Sequence, residues 1–308
     1  MKADWVAASV RARSMAQRRA GAGTCRAMAT QPTLDSAMSL LRESSYAPRL
    51  GGARGLVAAE RAVQETFLWQ LRVLAGWLPA SGTALARAAA GIFEIENIAA
   101  LAHRLAGGGP TPEFYALGAL ATAWPRLRTA RSPEELAATL RASAWGDVGP
   151  AGPGPMRDAL TVAWARRLAA SASAARTWSG AVCVLTAARI VLVDGVAPAP
   201  PVLHQLGPVI GRSWEAVNSI AEFSSALPPS LRSVVLGIAS PEELWRAEAR
   251  AYAAVENDGF RLLRGSMPGP DVVLGAIAVL STDAWRVRAA LAAAAAGAGS
   301  SEVLDAAA

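Results

Sequence analysis

The sequence predicts an all-α fold, and three observations carry that expectation. The hydrophobic fraction is 53%, and much of it is alanine, the strongest helix former and a residue that buries little area. Between clusters of glycine and proline, apolar residues recur at three- and four-residue spacing, the period of a helix with one buried face. Helix starts are also chemically marked. Thr33, Ser132 and Ser240 each stand before an acid-bearing first turn, and the last two precede a proline. With 308 residues there is length for a sizeable core in one to three domains.

Taken in order, the first 28 residues carry Arg11, Arg13, Arg18, Arg19 and Arg26 against Asp4 alone. They lack the continuous apolar core of a secretory signal and read as part of a first helix. Helical periodicity then covers 33–46, 56–78, 83–106, 132–144, 156–176, 240–264 and 283–296. Breaks fall at "GGGPTP" (107–112), "GPAGPGP" (149–155), "APAPP" (197–201), "LPPS" (227–230) and "SMPGP" (266–270). "GGARG" (51–55) fits neither a dinucleotide nor a phosphate loop, since no strand precedes it and no Lys-Ser/Thr closes it, so it reads as a turn. "RIVLVDG" (189–195) is β-branched and keeps an α/β enzyme open as an alternative.

Internal repetition favours helix there. Leu41, Arg42, Ser44 and Tyr46 match Leu140, Arg141, Ser143 and Trp145 in order, each pair 99 residues apart. "EIENIAALAHRLAGG" (94–108) has looser echoes in "CVLTAARIVLVDG" (183–195) and "DAWRVRAALAAAAAG" (283–297). Glu94, Cys183 and Asp283 correspond, as do Asn97, Thr186 and Arg286, and the copies end at Gly107, Gly195 and Gly297. The spacing predicts three helical repeats, 1–109, 110–197 and 198–308, in one continuous globular unit.

Catalytic and metal chemistry find little to stand on. His103 and His204 are the only histidines, and no set of three or four convergent ligands surrounds either. Cys25 and Cys183 form no CxxC pair, and neither has a local partner to activate it. Glu94 and Glu96 project about 200° apart on a helix and cannot share a substrate atom. The apolar stretches 181–203 and 272–281 are interrupted by Arg189, Asp194 and prolines, or fall short of the roughly 20 residues a spanning helix needs. The net charge is +6, with Lys2 the only lysine among 30 basic residues. The arginines are scattered, and the ten tryptophans sit at helical positions among aliphatic neighbours, as core or interface anchors. An all-helical arginine-rich nucleic-acid-binding or regulatory protein is the alternative that this charge sustains.

The segments "VRARSMAQRR", "LLRESSYAPRL", "AERAVQETFLWQLRVL", "FEIENIAALAHRLAGG" and "GPDVVLGAIAVLSTDAWRVRAAL" follow one another in the order and spacing of a known family. Together they resemble the central-stalk socket family of V-type and archaeal-type ATPases, C-type in the archaeal enzymes and d-type in eukaryotes, over roughly residues 9–297. The specificity lies in the order of the segments. In the closing segment the family's Glu and Asn positions hold Asp283 and Arg286, and the middle copy has Cys183 and Thr186. The resemblance implies a pseudo-three-fold funnel of three helical bundles, a non-catalytic socket without cofactor or metal. Its implied place is the cytoplasmic face of the membrane rotor ring, where it receives the central shaft. Its partners would be ring, shaft and membrane surface, with no nucleic acid. Glu94, Asn97, Arg104, Asp283, Arg286 and Arg288 would line the funnel, the repeat junctions or the interface with ring and shaft.

Overall fold

The computed structural model describes residues 3–149 and 153–307, so the middle of the "GPAGPGP" break lies outside the described residues. Among the described residues all regular structure is helical and no strand occurs. In chain order the principal helices begin with α1 (Val6–Gln17), α2 (Gly21–Ala29), α3 (Leu34–Ser39) and α4 (Gly55–Ala75). Next come α5 (Thr83–Leu105), α6 (Pro133–Arg141), α7 (Pro153–Ser171) and α8 (Arg176–Ala188). The last are α9 (Pro200–Ile210), α10 (Ile220–Ala226), α11 (Leu244–Leu263) and α12 (Pro270–Ala295).

Two compact units divide the chain, one of residues 1–86 with 248–308 and one of residues 87–247. They are not the three consecutive segments 1–109, 110–197 and 198–308, because the C-terminal helix completes the N-terminal unit. In the first unit α12 packs against α1, α2, α3 and α4. It is buried almost all round, from Val272 to Ala294. That explains why the sequence predicts a helix only over 283–296: a helix apolar on every side shows no amphipathic period. Helices α11 and α12 meet at Gly259 and Gly275. A β-carbon on Gly275 would lie 2.6 Å from the carbonyl oxygen of Gly259, so the pair admits no side chain there. The arginine-rich start is two helices rather than one, broken at Arg18–Ala20.

In the second unit α8 packs on α7, α9 and the 3₁₀ segment Pro229–Val235. "RIVLVDG" is no strand. Residues Arg189–Val193 continue α8 as a π-helical turn, and Asp194 N–H bonds the Arg189 carbonyl at 2.8 Å. Ser173–Val193 is long and apolar enough by composition to cross a membrane, but half of it is buried within this unit. The prolines of "APAPP" do not only break structure: Pro200 and Pro201 open α9, where a missing N–H costs nothing.

Helix starts follow side-chain chemistry. Thr33, Ser132 and Ser219 each accept an N–H from three residues on, at Ser36, Glu135 and Glu222, all at 3.2 Å. Ser240 makes no such bond and leads into a 3₁₀ turn, Pro241–Glu243. There Glu243 instead accepts from Ala239 N–H at 3.0 Å.

Candidate functional site

Helix α5 carries a stripe of polar side chains that stay inside the second unit. Glu94 is 1% exposed, and its carboxylate accepts four hydrogen bonds. Three come from consecutive backbone N–H groups, Thr122 at 2.6 Å, Ala123 at 2.7 Å and Trp124 at 3.1 Å. The fourth comes from the indole Nε1 of Trp145 at 2.8 Å. A carboxylate at the start of the short helix Trp124–Leu127 satisfies donors that have no partner within that helix. Arg167 lies near this charge. It donates to Thr122 Oγ1 at 2.9 Å and rests 4.7 Å from the Trp145 ring centre. Burial pulls its guanidinium pKa down, while the Glu94 charge pushes it back up.

Farther along α5, Asn97 exchanges two hydrogen bonds with the backbone of Tyr115, at 2.6 and 2.9 Å. Arg104 reaches Thr111 Oγ1, the Thr111 carbonyl at 3.2 Å and the Pro112 carbonyl at 3.0 Å, and its guanidinium covers the Phe114 ring. The stripe therefore fastens residues 111–124 along α5. An open groove of about 840 Å³ borders this loop, but the Arg104 guanidinium on its edge is already committed to the loop. Glu96 points elsewhere, as its helical phase requires, and pairs with both terminal nitrogens of Arg157 at 2.7 Å.

The same joint recurs in the first unit. Asp283 of α12, also 1% exposed, accepts Ala20 N–H at 3.0 Å, Gly21 N–H at 2.7 Å and the Tyr46 hydroxyl at 2.8 Å. Tyr46 and Trp145 thus play the same part in space as in sequence, each giving a ring donor to the acid of a long helix. Their turns match bond for bond. Ser44 donates to the Leu41 carbonyl at 2.7 Å and accepts Tyr46 N–H at 3.2 Å. Ser143 does the same with Leu140 at 2.7 Å and Trp145 at 3.1 Å. Burial lifts the Asp283 carboxyl above the usual range, against the pull of the Gly21, Tyr46 and Ala20 donors. Beside it burial pushes the Cys25 thiol up to about 12, with the Asp283 charge adding to the rise. Burial likewise lifts the Tyr46 hydroxyl well above its ordinary value.

Three helices carry the corresponding positions, and each stops at a left-handed glycine: Gly107 at φ 78°, Gly195 at 62° and Gly297 at 62°. After Gly107 and Gly297 the next N–H returns to a carbonyl five residues back, Gly108 to His103 at 2.9 Å and Ala298 to Ala293 at 3.1 Å. The His103 imidazole lies over Gly108 in this cap.

Of the six residues expected at a funnel or interface, Glu94, Asn97, Asp283 and Arg286 are buried inside their own units. Arg286, 4% exposed, pairs with Glu256 at 2.5 Å and donates to the Ala307 carbonyl at 3.0 Å. Desolvation keeps such groups where their hydrogen bonds are, which removes them from a solvent-lined surface. Arg104 and Arg288 keep exposure, Arg288 with Glu60 3.8 Å away. Arg167 and Glu256 are not singled out by sequence; neither belongs to a motif, and only folding brings Arg167 to Glu94 and Glu256 to Arg286.

As chemistry, the joints fix backbone: both oxygens of Glu94 and both of Asp283 accept hydrogen bonds. Burial also holds the Cys183 thiol at about 12, far from a nucleophile. Among the described residues no three His, Cys, Asp or Glu side chains gather as metal ligands. Compared with models of known families and with curated proteins, the chain finds no match.

Proposed function

We propose that this chain is the non-catalytic central-stalk socket of a rotary V-type ATPase or ATP synthase, linking the rotating shaft to the membrane ring in H⁺ or Na⁺ transport. It lies peripherally on the cytoplasmic face of the membrane, uses no cofactor and binds ring, shaft and membrane surface. The observation that supports this reading is the reuse of one joint, Glu94 with Trp145 and Asp283 with Tyr46, at the positions where the family resemblance places its repeats. A part that passes torque requires stiff, repeated modules, and buried hydrogen-bonded carboxylates give stiffness without reactivity.

In this reading Glu94, Asn97, Asp283 and Arg286 act from within, as the ties of a pseudo-three-fold arrangement of helical bundles. Arg288, partly exposed on α12, is the expected residue left to reach a partner, and Arg104 acts through the loop it holds. Affinity purification from native membranes tests the proposal. Ring and ATPase-head proteins are expected to co-purify, and recovery of the chain without either sinks it.

A further inference from the structure

One wall of the groove beside α5 is a stretch of backbone with a free edge. Asn97 gives an amide N–H to the Tyr115 carbonyl at 2.9 Å and accepts Tyr115 N–H at 2.6 Å. One side chain meets both groups only where they point the same way, as in an extended chain. Asn97 therefore stands where a residue of a neighbouring strand would stand. In such a chain the flanking residues turn their own N–H and C=O toward the opposite edge. Those residues are Phe114 and Ala116. Both line the groove, and their backbone N–H and C=O groups have no partner among the described residues. An unpaired edge of this kind is a template for another strand.

The groove holds about 840 Å³. Phe114 and Trp124 give it an apolar wall, their rings meeting edge to face with centres 4.7 Å apart. Its charge is positive. Among the described residues Glu113 is the one acid that lines it, against Arg104 and Arg128. Arg104 uses its hydrogen bonds on the loop. Arg128 is exposed, and its guanidinium has no hydrogen-bond or ion-pair partner among the described residues. Residues 124–131 add Arg126 and Arg131, both exposed, and no acid.

We propose that this groove binds an extended acidic segment of a partner protein, paired edge to edge with residues 114–116. Main-chain hydrogen bonds to Phe114 and Ala116 hold the segment, and its alternate side chains meet the Phe114 and Trp124 wall. A carboxylate on the segment pairs with Arg128, a charge-assisted bond that selects acidic over basic sequences. Asn97 and Arg104 contribute from behind. They fix the backbone before the partner arrives, which lowers the ordering cost of binding. A nucleic acid matches the arginines and the rings but has no peptide N–H and C=O to offer the free edge. The pairing does not depend on the rotary-ATPase reading.

Titrating the full chain into a fluorescein-labelled peptide of alternating Glu and Val tests it, with valine chosen to favour the extended state. Anisotropy is expected to rise to saturation. Lys in place of Glu in the peptide, N-methylation of alternate peptide amides, and Arg128→Glu in the protein are each expected to weaken binding at least about tenfold. The N-methylated peptide leaves the protein unaltered, so its result stands whether or not the variant folds. Amide exchange at Phe114 and Ala116 is expected to slow at least about tenfold at saturation, with that of α2 unchanged. The proposal is overturned by any one of four results: no saturable binding of the Glu-Val peptide, undiminished binding of the N-methylated peptide or by Arg128→Glu, unchanged exchange at Phe114 and Ala116, or tighter binding of a single-stranded oligonucleotide than of the peptide.

Discussion

Tyr46 and Trp145 show how much one ring donor can be asked to carry. Each gives a single hydrogen bond to a carboxylate buried to 1% exposure. Bonds to charged groups contribute roughly 1.5–3 kcal/mol, so Tyr46→Phe and Trp145→Phe are each expected to lower stability by about that amount. Urea midpoints at constant m-value measure it. Tyr46→Phe has a second consequence. Because burial raises the folded-state pKa of Asp283 above its unfolded value, the folded protein holds that proton more tightly. The stability tied to this proton is fully present below roughly pH 4 and is lost as pH rises through the raised folded value. Removing the Tyr46 hydroxyl, which lowers that pKa, should push the loss to higher pH, and Asp283→Asn should abolish it. Stability measured across mildly acidic pH separates the three proteins. Arg286→Glu places a second buried acid against Glu256 and is expected to cost at least about 3–5 kcal/mol, so it probes folding and not an interface. On the proposed socket reading, Arg288→Glu, partly exposed, is the interface test, expected to weaken coupling of ATP hydrolysis to transport while leaving the helical spectrum unchanged.

At the scale of elements, the long helices are fixed by how they end and how closely they approach. The left-handed conformation costs an L-residue about 1–2 kcal/mol, so Gly107→Ala and Gly297→Ala should each destabilise by that much. Space does not enter, since an added β-carbon meets nothing within 4 Å at either position. Gly275→Ala differs in kind. Its β-carbon would press on backbone, and separating α11 from α12 to admit it is expected to cost about 1–3 kcal/mol or more. Thermal unfolding of the three variants ranks them. The sequence marked α5 and α11 well because each shows a helical period. It understated α12 and passed over α9, since an all-apolar helix has no period to read and prolines at a helix start look like a break.

At the scale of the whole molecule, chain order and spatial order diverge. Helix α12 belongs with residues 1–86, tied to them through Asp283. Ending the chain at Gly265 should therefore leave α1, α2 and α4 without the helix they pack on, although no residue in them is altered. Limited proteolysis is expected to digest residues 6–75 rapidly in that truncation while the second unit persists. Survival of 6–75 would show that α12 is dispensable to its unit.

Read alone, the sequence determined the helical class, the hydroxyl caps at Thr33 and Ser132, the glycine stops and the match between the Tyr46 and Trp145 turns. All of these are local, written in residues within a few positions of one another, so propensity and spacing suffice to read them. Tertiary structure decided what the polar stripe does. The family resemblance placed Glu94 and Asp283 along a funnel, its repeat junctions or an interface, whereas both are buried at a cost that carboxylates meet only with donors. What lowers that cost is a set of N–H donors 28 to 263 residues away, at Thr122–Trp124 for one and Ala20–Gly21 for the other. No pattern along the chain announces such donors, because a backbone N–H is present at every residue except proline, and only the fold selects which of them meet an acid.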